Sequence, residues 1–265
     1  MLSHLYYKLT SPVRPLPDFL VVGAQKSGTT SLFHYIQQHP QVLENRSKEI
    51  HFFDKYFYEG VAWYRSHFPI YAKIGTKSLV GEATPYYLCH PHSPRRIHEL
   101  LPDVRMIAVL RNPAERAISH YFHEVKKGRE KLSILEALHR EEERCGSEWR
   151  KMLEDEWYVS RIHQSYSYKQ RGVYIEQLQR FWEFFPRRQI LVIDSSRLFA
   201  EPHAVLKEVF AFLGVDLDVV IRDVAVKNAN PIKKDVPVDV YDYLNRYFAP
   251  YNSALGKALG LNFDW

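Results

Sequence analysis

Residues 23–30, "GAQKSGTT", follow the apolar run "DFLVV" directly and have the residue types of an anion-binding loop. Gly23 and Gly28 let the backbone curl, so that amides at the start of the next helix point at an anion. Lys26 adds a movable full charge, and Thr29 and Thr30 add hydroxyl donors. The spacing departs from the triphosphate loop G-x-x-x-x-G-K-[ST], whose lysine follows the second glycine and reaches the β- and γ-phosphates. Thr29 stands at that place here, and the lysine lies inside the loop. Taken alone, the stretch is also compatible with a plain glycine turn and a solvated lysine. Arg111, at the end of another apolar run, and Ser119 beyond it form a second candidate anion site. As a lone pair they read more simply as a surface arginine and a helix serine.

The elements that must position these residues are strands and helices in alternation. "FLVV" after Asp18 is apolar on consecutive positions, as in a strand covered on both faces of a parallel sheet. "TTSLFHYIQQH" follows with Leu32, Tyr35 and Ile36 at helical spacing, and Pro40 closes it. The pattern returns with Met106 to Leu110 as a strand, then Asn112, Pro113 and Glu115 as N-cap, first-turn proline and capping-box partner. Residues 78–83 and 190–194 supply two further strands. Between Glu124 and Arg161, the spacing of Leu132, Leu135 and Leu138, and of Trp149, Leu153 and Trp157, suits apolar helix faces. The fold class expected is α/β, a P-loop-type three-layer α/β/α fold with a central parallel sheet and additional helices. We read residues 1–265 as one domain, with 1–17 as an extended lead-in. Ligands then belong beyond the carboxyl ends of the strands, where both loops open. Two such units on one edge favour a ligand with two separated anionic groups.

Composition bounds the function. The 36 basic and 31 acidic side chains leave a formal charge of +5, which favours anionic ligands. No long basic run or nucleic-acid module is visible, so nucleic acid is the weaker partner. Cys89 and Cys145 are too few and too isolated for a disulfide framework or zinc site. No apolar run reaches the roughly 18 residues of a membrane span, and the start lacks a signal-peptide core. The expectation is a soluble, cytoplasmic protein without a membrane span, its oligomeric state open.

At this point the chain resembles a family. "GAQKSGTTSL" is similar to the 5′-phosphosulfate loop, and "VLRNPAERAISHY" to the 3′-phosphate motif, of sulfotransferases that use 3′-phosphoadenosine 5′-phosphosulfate (PAPS). "KEIHFFD", residues 48–54, resembles the catalytic segment of the heparan sulfate branch, and "RGVYIEQLQRFWEFFPRRQILVIDSSRLFAEP" a later block of it. The resemblance covers most of residues 18–215 in family order. It implies metal-independent transfer of a sulfuryl group from PAPS, leaving 3′-phosphoadenosine 5′-phosphate (PAP), to a saccharide or small-molecule acceptor. Lys26, Ser27, Gly28, Thr29 and Thr30 would hold the 5′-phosphosulfate, and Arg111 and Ser119 the 3′-phosphate. Glu49 would be the catalytic base, with Lys48 and His51 beside the transferred group. Asp54 reads as a buried carboxylate orienting Lys48, His51 or a turn. Glu82, Thr84 and Tyr86 would sit near the acceptor, and Arg171, Gly172 and Tyr174 near the adenosine end. Lys227, Lys233 and Lys234 occupy the place of a basic loop that closes over PAPS, although the segment lacks the lysine-glycine pattern expected there.

Physical chemistry fits these roles. Sulfuryl transfer resembles phosphoryl transfer, so the work is in-line positioning and stabilisation of charge on the leaving phosphate. With a reference pKa of about 4.3, Glu49 cannot deprotonate a free alcohol beforehand and would accept the proton late. His51 is the rival base. Two other classes remain: a P-loop kinase or NTPase, with Asp194 ending "ILVID" as its Mg²⁺ carboxylate, and a non-catalytic binder of nucleotide or acidic glycan. The position of Lys26 argues against the first, and Lys26 together with Glu49 against the second.

Overall fold

The computed structural model describes residues 9–45, 47–70, 78–227 and 236–265. Five strands form one parallel sheet in the order β2-β3-β1-β4-β5. They are β1 Phe19–Gly23, β2 Val42–Leu43, β3 Leu79–Ala83, β4 Arg105–Leu110 and β5 Ile190–Asp194. The helices are α1 Thr29–Gln37, α2 Gly60–Arg65, α3 Ser93–Leu100, α4 Pro113–Lys126, α5 Ile134–His139, α6 Glu141–Glu154, α7 Arg161–Tyr166, α8 Tyr174–Trp182, α9 Ser195–Ala200, α10 Pro202–Leu213 and α11 Val238–Leu259.

β1 and β3 are buried at every position, which is why their sequences run apolar without alternation. Successive side chains nevertheless point to opposite faces and feed two cores. Leu20, Val22, Met106 and Ala108 join one with Ala117 of α4, Leu178 of α8 and Leu244 of α11. Phe19, Val21, Ile107 and Val109 join the other with Leu32 of α1 and Val209 of α10. The result is the three-layer α/β/α fold. Gly81 shows how tightly one layer is fitted, because a Cβ there would fall 2.2 Å from the Phe19 ring. Removing that ring by Phe19→Ala costs about 3–5 kcal/mol on the usual scale for a buried aromatic.

This architecture positions the loops. β1 pairs with β4, so the turn after each opens at the same edge. α1 packs on one face and α4 on the other, leaving a crevice between the turns at the point where the strand order reverses.

Three elements differ from the sequence reading. β2 is too short for a periodicity to show. Within the expected extended lead-in, Ser11–Val13 form a 3-10 turn; Arg14 beyond it donates to the Phe68 carbonyl, and Arg65 donates to the Arg14 carbonyl at 2.7 Å. Trp157 does not continue the helix face of Trp149 and Leu153, because α6 ends at Glu154; Trp149 stacks on His163 while Leu153 and Trp157 are exposed. Among the described residues no helix is long and apolar enough to cross a membrane.

Candidate active site

The first loop is incomplete within the chain. Gly28, in the left-handed region at φ 99°, precedes α1 and offers no side-chain cap, so the first-turn amides have no acceptor from that residue. Ser27 is fully buried; its hydroxyl lies near that of Tyr174 without a well-formed hydrogen bond. Lys26 holds a left-handed φ of 69° and lines the cleft. Burial, then Arg111, Lys127 and Lys126, push its pKa down, with Glu124 the opposing influence. Such a gathering of cations with too few anions is what a bound anion would relieve.

The second loop is completed internally. Asn112 accepts hydrogen bonds from the amides of Ala114 and Glu115, at 2.9 and 3.2 Å, as the expected N-cap of α4. Glu115 does not reach back as a capping-box partner. One of its oxygens instead holds Arg111 Nη2 at 2.9 Å, while the other accepts from the Tyr241 hydroxyl at 3.1 Å. Arg111 also donates to the Lys26 carbonyl at 3.3 Å, joining the two loops. Ser119 lies farther along α4 and lines the same cleft.

The third component is the turn from Lys48 to Asp54. Ile50, Phe52 and Phe53 are buried and anchor it, with the Phe52 amide donating to the Tyr87 hydroxyl at 2.8 Å. Glu49 and His51 lie at φ 59° and 58°, a region costly for residues with a Cβ and met where surrounding contacts enforce it. Both side chains line the cleft. Glu49 stands 3.6 Å from Lys48 Nζ and 3.7 Å from His51 Nε2. Burial raises the Glu49 carboxyl, but His51 and Lys48 together outweigh it and hold the pKa below its usual range. Burial likewise lowers His51, yet Asp54 at 2.8 Å and Glu49 overcome it and raise the imidazole to about 10. His51 is therefore an imidazolium at neutral pH, already protonated where a base must be free. Lys48 stands behind Glu49, its ammonium on the Thr30 hydroxyl, and lines a separate small cavity with Thr30.

Glu82 and Thr84, expected beside the acceptor, are fully buried instead. Glu82 accepts from the Tyr64 hydroxyl at 2.9 Å; burial raises its carboxyl to about 7 despite the hydroxyls of Tyr87 and Tyr64. The Thr84 hydroxyl accepts from the His51 amide at 3.4 Å. Their place is behind the turn. Tyr86 reaches the cleft wall, but its hydroxyl is spent on His163 at 2.6 Å, so its ring is what it offers. Arg171 lines the cleft with its guanidinium 4.8 Å from the Tyr86 ring centre. Gly172 and Tyr174 do not face the cleft. A Cβ on Gly172 would fall 2.8 Å from the Phe248 ring, and the Tyr174 hydroxyl donates to the Arg111 carbonyl at 2.9 Å. Lys227 lines the cleft and pairs with Asp223 at 2.7 Å; Lys233 and Lys234 lie outside the described residues. Asp194 caps α9 through the Ser196 amide at 2.7 Å. Among the described residues no group of three or more His, Cys, Asp or Glu is gathered to hold a metal.

The cleft measures about 1210 Å³, above the roughly 300–1,000 Å³ of ordinary ligand sites and large enough for two reactants. Its rim adds residues that the sequence did not single out, Lys126, Lys127 and Arg129. Lys126 lies two turns beyond Ser119 on α4, so helical spacing from Ser119 was the available signal. Glu124 lies beneath this rim, only 2% exposed, with Arg129 at 3.2 Å.

The sulfotransferase domain model matches residues 16–236, which contain both anion loops and the Lys48–Asp54 turn. The membrane-associated sulfotransferase kil1 of Dictyostelium discoideum is 26% identical over 316 residues, covering 94% of this chain and 66% of its own length. The heparan sulfate glucosamine 3-O-sulfotransferase 6 of Homo sapiens is 29% identical, covering 95% of this chain and 74% of its own. In structure, a sulfotransferase from Alicyclobacillus acidocaldarius superposes with a TM-score of 0.76 at 30% identity, over 94% of this chain and 98% of that one. An anion cleft between β1 and β4 with a carboxylate at its lip thus sits inside a matched domain of known kind, and the chain belongs to the sulfotransferase family.

Proposed function

We propose that the chain transfers a sulfuryl group from PAPS to a hydroxyl, or an amine, of a saccharide or small-molecule acceptor, with Glu49 as general base. The observation that carries this reading is the Glu49 carboxylate, held ionised by His51 and Lys48, lining the same cleft as the cation-rich loop around Lys26. The donor suits the residues present. Lys26, Ser27, Gly28, Thr29 and Thr30 would hold its 5′ end, supported by the unsatisfied Ser27 hydroxyl; Arg111 and Ser119 would hold its 3′-phosphate. When bound, the donor supplies the sulfuryl group and a phosphate leaving group.

Glu49 accepts the acceptor's proton as attack proceeds, a contribution of about 10²- to 10⁴-fold. Its two cationic neighbours keep it ionised and make it a weak base, which requires a late transfer. Lys26 stabilises the charge that appears on the leaving phosphate. His51, protonated through Asp54, orients Glu49 and adds positive charge beside the reacting centre. Lys126, Lys127 and Arg129, which line the same cleft, favour an acceptor that carries anionic groups, and the relative named for heparan sulfate glucosamine supports a saccharide.

Glu49→Gln tests the assignment: PAP affinity should survive while transfer of radiolabelled sulfate from PAPS collapses by at least about 10². A screen of anionic and neutral saccharides and small alcohols as acceptors belongs to the same assay. Strict dependence on ATP and Mg²⁺, with no transfer from PAPS, would sink the reading in favour of a nucleotide kinase.

A further inference from the structure

Four backbone amides of the Lys48–Asp54 turn end on one short stretch, the exit of β3. The Glu49 amide donates to the Ala83 carbonyl at 3.1 Å, the His51 amide to the Thr84 hydroxyl at 3.4 Å, and the amides of Phe52 and Phe53 to the Tyr87 hydroxyl at 2.8 and 3.4 Å. An amide N–H can only donate, so both hydroxyl oxygens accept, and the one proton of each hydroxyl points elsewhere. From Thr84 it goes to Glu82 Oε2 at 3.4 Å. The Tyr87 hydroxyl lies against Thr84 and Glu82, of which only the carboxylate has no proton of its own to place. Tyr64 of α2 donates to Glu82 Oε1 at 2.9 Å. Glu82, fully buried, thus receives the protons of three hydroxyls.

A buried carboxylate is unfavourable unless it is well hydrogen-bonded, and none of the roles above uses this one. What its charge does is fix direction. Both oxygens only accept, so Thr84 and Tyr87 are held as donors toward Glu82 and as acceptors toward the turn. A carboxamide of the same shape would offer N–H groups where hydroxyl protons now point. The hydroxyls would then rotate toward the turn amides, donor against donor. Glu49 and His51 sit at φ 59° and 58°, a conformation that persists only where surrounding contacts enforce it. On this turn, the enforcing hydroxyls are the ones that end on Glu82.

We propose that Glu82 is a positioning residue for the transfer: through Thr84 and Tyr87 it holds the turn in the conformation that presents Glu49 to the acceptor. This rests on the reading of Glu49 as the base. Glu82 itself touches no reacting atom. Its protonation state matters, because a proton on Glu82 is a fourth hydrogen among three hydroxyl donors. The titratable groups facing it are Tyr64, Tyr87, Asp54 and His51. Burial raises the carboxyl to about 7, with Asp54 adding to the rise and Tyr87, Tyr64 and His51 opposing it. Turnover should therefore fall as pH drops through about 7, a limb that Glu49, held below its usual range, does not supply.

The test measures transfer of radiolabelled sulfate from PAPS to the best acceptor of the screen above, and PAP affinity by titration calorimetry, on the full chain as wild type, Glu82→Gln, Tyr87→Phe and Glu49→Gln. Glu82→Gln should lower kcat about ten- to hundredfold, the scale of a misplacement of about 1 Å, with KM for PAPS and PAP affinity within about twofold. Its acid limb near pH 7 should vanish. Tyr87→Phe should lower kcat likewise, and the double variant should lose little more than either alone. A readout free of the acceptor is the His51 imidazole, which Asp54 and Glu49 hold protonated against burial. By NMR titration, its proton in Tyr87→Phe should come off below the wild-type value of about 10. Unchanged kcat in Glu82→Gln, or a loss of PAP affinity in step with kcat, would make Glu82 a packing residue and overturn the proposal while the Glu49 reading stands. If Glu82→Gln does not fold, Tyr87→Phe and Thr84→Val decide, and unchanged kcat in both overturns it. Full turnover in Glu49→Gln would overturn both readings.

Discussion

The turn after β1 and the turn after β4 are built from the same parts, an apolar strand, a loop with one basic residue and a helix, yet the chain finishes only one of them. After β4, Asn112 caps the helix, Glu115 pairs with Arg111 and Tyr241 steadies Glu115. After β1, no side chain caps the helix, the Ser27 hydroxyl has no good partner and Lys26 faces other cations. A loop left unsatisfied costs stability that a ligand can return, whereas a satisfied loop must exchange partners when its ligand arrives. On the proposed function, the first is organised around charge that moves during reaction, and the second around charge that only anchors.

The comparison breaks most readily at Lys26. Lys26→Ala should lower transfer by about 10³-fold, on the scale of removing one preorganised donor. It should leave the melting temperature unchanged or slightly higher, because burial and three neighbouring cations already work against that ammonium. A large loss of stability would mean that the first loop is finished by the chain after all. Arg111→Ala should act differently, raising KM for PAPS about ten- to hundredfold with a much smaller change in kcat. A fall in kcat as large as that of Lys26→Ala would erase the distinction between the loops. Glu115→Ala, which frees Arg111 to turn, should raise the same KM only about three- to tenfold, read in the same assay.

Much of this contrast was legible in the sequence, and its decisive half was not. Periodicity located β1, β3, β4 and β5, because strands buried on both faces read as apolar runs. Asn112 and Pro113 declared the start of α4 through local chemistry. Glu115 misled, since a glutamate at that position serves equally as a capping-box partner or as a clamp on the preceding arginine, and only the approach of α11 with Tyr241 decides between them. Glu82, Thr84, Gly172 and Tyr174 belong to matching segments but lie behind the site; motif resemblance reports proximity to a cleft, and burial reports which side of its wall a residue takes. Trp265, which also lines the cleft, carried no signal, because its position depends on where the chain goes after α11. The left-handed backbone at Lys26, Glu49 and His51 was equally invisible, as none is a residue type that announces a positive φ.

The smallest effect probes the support behind the Lys48–Asp54 turn. Asp54, 2% exposed, holds His51 Nδ1 at 2.8 Å. Because the imidazole is raised from 6.5 to about 10 in the folded chain, folding binds its proton more tightly. That contribution to stability is complete below pH 6.5, declines as pH rises, and is gone above about 10. Asp54→Asn should therefore lower the melting temperature by about 2–4 °C at pH 6, with the gap to wild type closing toward pH 10. Turnover then discriminates the base. With Asp54 gone, His51 releases its proton nearer neutrality, and Glu49 loses a cationic neighbour. If Glu49 accepts the proton, kcat at pH 7.5 should fall a few-fold, and the wild-type rate should drop as pH rises through about 10. If His51 were the base, the same variant would be faster than wild type at pH 7.5, because freeing the imidazole would unmask it.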